Sequence, residues 1–225
     1  MDNVQSVTIE QVNYQEALRY LGFRDKEPDD TTKELLFACE KELRRVIDGK
    51  FIYKVFDLVE GQIPNCAFTL KGDAIQKHLE GCDKVVLMCA TVSAGVDALI
   101  RKKQIIGMAE AMITDSLASV AVEQVCEQAE KIIMKNFPGY QHTWRFGLGY
   151  GDFPLSEQKD FLELIDAPKR IGVCVNGSSM LTPVKSVTCV MGIGHNLKTE
   201  NVRNCDFCNM RERCQFRKEG KSCGE

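Results

Sequence analysis

The amino-acid sequence predicts an α+β fold: a mainly antiparallel, twisted sheet flanked by helices, one of them long, with a small metal-binding tail at the C-terminus. Three observations predict it. Segments rich in β-branched and aromatic residues and segments with helical apolar spacing follow each other without regular alternation, which speaks against a doubly wound parallel sheet. The stretch from Gln104 to Asn136 keeps an approximate helical period and contains no proline. Beyond Gly194-His195-Asn196 the apolar periodicity stops and four cysteines cluster. Residues 1–196 therefore read as one domain and residues 197–225 as a Cys-rich appendage.

The elements follow in order. Asp29-Asp-Thr31-Thr-Lys-Glu34 has capping-box spacing, with Thr31 as cap, and Leu36, Cys39, Leu43 and Ile47 continue a helix to Asp48. Phe51 to Val59 and Cys66 to Leu70 read as strands, separated by Glu60-Gly-Gln-Ile-Pro64. Gly72 to Glu80 is a short helix, and Gly81-Cys-Asp83 turns the chain into a buried strand, Val85 to Val92. In the long helix, Ile105, Met108, Met112, Ile113, Leu117, Val120, Val125, Ile132 and Ile133 form the apolar face, while its alanines, its serines and Gly107 allow close packing. Ser156 is placed to cap a helix through Asp166, and Arg170 to Val175 and Ser186 to Met191 have strand character.

Composition narrows the functional classes. With 225 residues the chain can bury a sizeable core. Its net charge is −3, with +2 on residues 198–225 and −5 on the body, so it lacks the strongly basic face of a nucleic-acid binder. The densest apolar run, Val85 to Val92, is far short of the roughly 20 residues that cross a bilayer. Met1-Asp-Asn-Val-Gln does not resemble a signal peptide, and a cytoplasmic location is the expectation. In a reducing compartment the eleven cysteines are thiols or metal ligands rather than a disulfide framework.

The candidate binding segment is Arg145-Phe-Gly-Leu-Gly-Tyr150-Gly-Asp-Phe-Pro154. Gly147, Gly149 and Gly151 suit a backbone that adopts positive φ or approaches a ligand closely, and Arg145 supplies a planar fork for a carboxylate or phosphate. Tight turns use glycine for conformational reasons alone, so the segment gains weight from Gln158, the following helix, and Asn176-Gly-Ser-Ser-Met180-Leu-Thr-Pro183. His142, beside Trp144, either lines the same site or is a surface residue.

Arg-x-x-x-Gly-Tyr at Arg145 to Tyr150, then an acidic helix, Ile171-Gly172, Ser179-Met180 and a last strand, resemble the S-adenosylmethionine-binding activation domain of cobalamin-dependent methionine synthase. Asp115-Ser-Leu-Ala118 and Glu123 resemble the start of its long helix, and the likeness runs from Thr114 to Gly194. It implies that Arg145, Gly147, Gly149 and Tyr150 bind S-adenosylmethionine. Arg145 would pair with the ligand carboxylate, the backbone of Gly147 to Gly149 would approach the adenosine, and Tyr150 would form pocket wall. Two departures from the family stand out: Val190-Met191 stands where it has an aromatic pair led by a tyrosine, and Ser119 where it has an acidic residue.

The resemblance further implies a reactivation subunit that supports reductive methylation of Co(II) cobalamin. No Asp-x-His-x-x-Gly cobalamin motif occurs in this sequence, so the corrinoid would belong to a separate partner, a methionine synthase or related corrinoid protein. A flavodoxin or ferredoxin would be the reductant. Two other classes stay open: an interaction module that caps the corrinoid protein without binding the methyl donor, and an iron–sulfur electron carrier for corrinoid activation.

The electron-carrier reading rests on the tail, where Cys205, Cys208, Cys214 and Cys223 are separated by two, five and eight residues. Arg203, Arg211, Arg213 and Arg217 favour thiolates there. Four soft ligands suit an iron–sulfur cluster or zinc, and redox-paired thiols are the third alternative. The other seven cysteines, Cys39, Cys66, Cys82, Cys89, Cys126, Cys174 and Cys189, read as small buried hydrophobes.

Overall fold

The computed structural model describes residues 4–23, 27–197, 212–214 and 218. In chain order the elements are β1 (Gln5–Val7), α1 (Tyr14–Tyr20), α2 (Asp30–Leu43), β2 (Gly49–Asp57), α3 (Asp73–His78), β3 (Lys84–Thr91), α4 (Ala94–Ile106), α5 (Met108–Met134), β4 (Gln141–His142) and β5 (Phe146–Gly147). A 3-10 turn (Leu155–Glu157), α6 (Gln158–Leu164), α7 (Ala167–Ile171), β6 (Cys174–Val175), β7 (Leu181–Thr182) and β8 (Ser186–Gly194) follow. The main sheet has the order β1-β2-β3-β8-β4, with β5 also paired to β8, and β6 and β7 form a separate hairpin. The pairs β1–β2, β4–β8, β5–β8 and β6–β7 are antiparallel, as the sequence predicts.

The chain divides into two units whose boundaries fall within β2, β3 and β8. The first comprises Met1–Ile52, Cys89–Lys135 and Ala167–Val187. Here α1, α2 and α4 pack on α5, whose alanines Ala118, Ala121 and Ala129 are fully buried. Small side chains thus let neighbouring elements approach the long helix closely. Gly49 serves the same purpose: a Cβ there would lie 2.5 Å from the Val7 carbonyl oxygen and 3.1 Å from Val125 Cγ2. Glu40 is buried on α2, where its carboxylate accepts from the Val12 amide at 2.9 Å and the Tyr14 hydroxyl at 2.5 Å, fastening the N-terminal segment.

The second unit comprises Tyr53–Met88, Asn136–Asp166 and Thr188–Glu225. In it, β8 pairs with β4 (Gln141↔Gly194, His142↔Ile193) and with β5 (Phe146↔Val190, Gly147↔Cys189). Phe146, Phe153, Phe161 and Ile75 fill its core. Gly192 on β8 is enforced by packing, since a Cβ would fall 2.3 Å from Cys82 Sγ and 2.9 Å from Leu79 Cδ2. Burial there pushes the Cys82 thiol up to about 12.

Several sequence expectations are corrected. The cap of α2 is Asp29, whose side chain accepts from the Thr32 amide, not Thr31, and the helix ends at Leu43 rather than Asp48. The Gln104–Asn136 helix is broken at Gly107, whose backbone is extended, so α4 and α5 are separate helices. Ile105, Ile106, Met108 and Met112 around the break are exposed, so part of the apolar period that suggested continuity is not a core face. Cys66 to Leu70 forms no strand, because the Gln62 side chain satisfies both the amide and the carbonyl of Leu70, at 3.0 and 3.1 Å. Residues 170–175 are not one strand: α7 runs to Ile171, Gly172 at φ +70° ends it, and only Cys174–Val175 pairs. Ser156 lies in the 3-10 turn and caps no helix through a side-chain hydrogen bond.

Candidate functional site

The arginine segment lies wholly in the second unit, built on β5 and the turn after it. Its two large neighbours anchor it: Phe146 is fully buried and Trp144 is 8% exposed, while Arg145 between them is half-buried. Gly147 pairs with Cys189 on β8, so its place is in the strand, not the turn. Gly149 and Gly151 take φ of +83° and +58°, as the sequence predicts for a tight turn. The turn closes through the Tyr150 amide to the Gly147 carbonyl at 3.2 Å and the Gly149 amide to the Phe153 carbonyl at 2.9 Å.

Tyr150 folds back over this base. Its ring meets Trp144 edge-on at 5.4 Å between centroids and Phe146 at 5.3 Å, and Phe153 lies 6.4 Å from Phe146. Arg145, Gly147, Gly149 and Tyr150 are neighbours in sequence, and the rings of Trp144 and Phe146 back Tyr150. Chemically the segment offers a guanidinium, a turn with two bare glycine backbones and a stiff apolar wall, which suits a small zwitterion or anion carrying a flat ring.

Two residues that sequence reasoning passed over hold this segment. His78, at the end of α3, is 4% exposed, and its Nε2 is 2.7 Å from the hydroxyl of Thr143, which is itself completely buried. Thr143 Oγ1 also accepts from the Gly192 amide at 2.9 Å, tying the segment to β8. The His78 ring meets Trp144 and Phe146 at centroid distances of 4.9 Å in each case. Desolvation lowers the His78 imidazole to about 4, despite a backbone hydrogen bond to Trp144 that favours the charged form. At the other end, Asp152 accepts from the amides of Asp73 at 2.7 Å and Ala74 at 3.0 Å, the first turn of α3. Those amides hold its carboxyl below the usual carboxylate range. No spacing in the sequence signals either partnership, because the pairs are far apart along the chain.

Gln158 is buried, and its Oε1 accepts from Thr188 Oγ1 at 3.1 Å, bracing α6 on β8. His142 is half-buried on β4, and His195 stacks on Tyr140 at 3.9 Å. Val190 and Met191 are wholly buried. Ser119, in the first unit, accepts from Lys185 Nζ at 2.8 Å, and Lys185 also pairs with Asp115 Oδ1 at 2.9 Å.

Of the predicted thiolate ligands, Cys214 is half-buried, and Cys205, Cys208 and Cys223 lie outside the described residues. Among the described residues no group of three His, Cys, Asp or Glu side chains could hold a metal ion. Cys39, Cys89, Cys126 and Cys189 are buried as expected, whereas Cys66 and Cys82 are half-buried and Cys174 is exposed. No described helix is long and apolar enough to cross a membrane.

No protein-family model matches the chain, and no curated protein sequence matches it. Among solved structures it is similar to the MetH reactivation domain in its crystal structure bound to AdoHcy, with a TM-score of 0.65 and 16% sequence identity, covering 99% of this chain and 86% of that one. At that identity the likeness is one of fold. The chain shares, along almost its whole length, the mixed sheet-and-helix architecture of the MetH reactivation domain.

Proposed function

We propose that this chain acts as a reactivation module that binds S-adenosylmethionine and serves a cobalamin-carrying partner, a methionine synthase or related corrinoid protein. The observation that carries the reading is the likeness over 99% of the chain to a domain crystallised with AdoHcy, the demethylated form of that donor. In support, the arginine, the positive-φ glycine turn and the tyrosine expected from the sequence lie on one braced segment.

The chain's own contribution is placement. Arg145 holds the carboxylate of the donor, the backbone from Gly147 to Gly149 lies along its adenosine, and Tyr150 closes one wall. Fixing a reacting group in this way can contribute several kcal/mol or more to lowering a barrier. A corrinoid held by the partner and reduced by a flavodoxin or ferredoxin would supply the nucleophilic chemistry, while Arg145, Gly147, Gly149 and Tyr150 would hold the donor in place. The test is a calorimetric titration of S-adenosylmethionine into the purified chain and its Arg145→Ala variant. Wild type binds and the variant binds at least about tenfold more weakly, in line with the loss of a charged hydrogen-bonded pair. Absence of binding by wild type, with the corrinoid partner also present, overturns the reading.

One observation favours a second reading, an interaction module that binds the partner without the donor: Lys185 occupies the hydroxyl of Ser119, where the resembling family has an acid. Partner binding without donor binding selects it.

For the tail we propose that Cys205, Cys208, Cys214 and Cys223 bind one metal centre, an iron–sulfur cluster or zinc, as four thiolates. Support comes from the spacing and the flanking arginines. Anaerobic purification followed by metal and sulfide analysis tests it. One centre per chain, lost on Cys208→Ser, is expected, and alkylation of all four tail cysteines, located by peptide mapping, in protein without metal refutes it.

A further inference from the structure

Helix α3 touches the arginine segment at both ends and nowhere relies on sequence proximity to do so. Its first turn has no side-chain cap of its own: the residue before it is Gly72, at φ +111°. Asp152 takes the place of that cap from across the fold, each carboxylate oxygen accepting one backbone amide of the turn. Gly72 is what lets it in, since a Cβ there would stand 2.6 Å from Asp152 Oδ1 and 2.8 Å from the Asp152 carbonyl oxygen. The last residue of the same helix is His78, which engages Thr143 through Nε2 and lies against the rings of Trp144 and Phe146. Residues 143–152 are thus gripped at one end by a buried imidazole and at the other by a borrowed cap, with Arg145 and the glycine turn between. A binding site in which a guanidinium must sit within a fraction of an ångström needs such outside support, because glycine turns do not fix themselves.

We infer that His78 and Asp152 are positioning residues for the ligand site on the arginine segment, acting through α3 as a clamp that sets where Arg145 and Tyr150 stand. This inference rests on the proposed binding of S-adenosylmethionine at that segment. It differs from a purely structural role in its consequence. A residue that only stabilises the fold changes the melting temperature and leaves affinity, measured well below melting, where it was. A clamp changes affinity in well-folded protein, and a conservative substitution restores part of it.

Trp144 is the chain's one tryptophan, so its emission reads the clamp without any ligand. The experiment uses the full chain with four sequences: wild type, Asp152→Ala, Asp152→Asn and His78→Gln. S-adenosylmethionine affinity, Trp144 emission with acrylamide quenching, and melting temperature are measured on each. Asp152→Ala is expected to weaken S-adenosylmethionine binding by about tenfold, the equivalent of a lost cap and its downstream misplacement. Asp152→Asn keeps one acceptor oxygen and falls between the two, and this variant decides the matter if the alanine protein does not fold. His78→Gln is expected to weaken binding, to shift Trp144 emission to the red and to increase its quenching. Wild-type affinity in Asp152→Asn and His78→Gln, with melting temperature alone reduced, overturns the inference. Should wild type bind no S-adenosylmethionine, the proposed function fails separately, and unchanged Trp144 emission and quenching across the variants then overturn the clamp as well.

Discussion

The imidazole of His78 stands edge-on to the indole of Trp144, ring centroids 4.9 Å apart at 72°, with both side chains almost wholly removed from water. A neutral imidazole is the form this environment favours, and the pH dependence of stability follows. The folded-state value near 4 lies below the usual 6.5, so between those limits the unfolded chain binds the extra proton.

Stability should therefore be fully present above pH 6.5 and fall as the pH drops toward 4, by about 3 kcal/mol in total from this one group. Urea denaturation at a series of pH values checks it. In His78→Gln the slope over that window should flatten. An unchanged slope would mean that carboxylates, not His78, govern the acid limb.

Gly192→Ala should destabilise the protein by about 1–3 kcal/mol, because the new methyl group meets Cys82 Sγ and Leu79 Cδ2 below contact distance. Adding Cys82→Ala removes the closer of the two atoms. The double variant should recover part of the loss, so that chemical denaturation of the four proteins in the cycle gives a non-zero coupling energy.

Glu40→Ala should cost about 2–4 kcal/mol, since it strands the Val12 amide and the Tyr14 hydroxyl in the buried junction between the N-terminal segment and α2. Thermal unfolding measures the loss. Limited proteolysis should cut the variant first near Val12, and a protected N-terminus would contradict the assignment of Glu40 as its fastener.

Cysteine labelling should be ordered by environment. Cys174 is exposed and should be alkylated readily at pH 8. Cys82, its thiol raised to about 12 and pressed against Gly192, should stay unmodified until the protein unfolds. Peptide mapping after timed iodoacetamide treatment distinguishes the two.

How much of this was legible beforehand depends on the range of the signal. Strands β2, β3 and β8 were readable because each is a concentrated run of β-branched, aromatic or apolar residues, and the turn glycines Gly149 and Gly151 because local φ demands leave local traces. Arg145 and Tyr150 were legible from the same short motif. The false strand at Cys66 to Leu70 has the right composition, but a glutamine side chain supplies the partner that a neighbouring strand would have given. Asp29 lost to Thr31 because two candidate caps stand two residues apart and only the backbone geometry chooses between them. His78, Thr143 and Asp152 carried no signal at all, as their partners are 65, 49 and 79 residues away.

The extended backbone at Gly107 has an architectural consequence. Uninterrupted, Ala94 to Met134 would be a rod roughly 60 Å long at about 1.5 Å per residue, longer than a small domain can cover along its length. One non-helical residue interrupts that rod and lets α4 pack on its own continuation, α5. The joint sets the phase of α4's buried residues, Val96, Leu99 and Lys103 among them, so inserting or deleting one helical residue just before Gly107 would turn them by about a hundred degrees relative to α5.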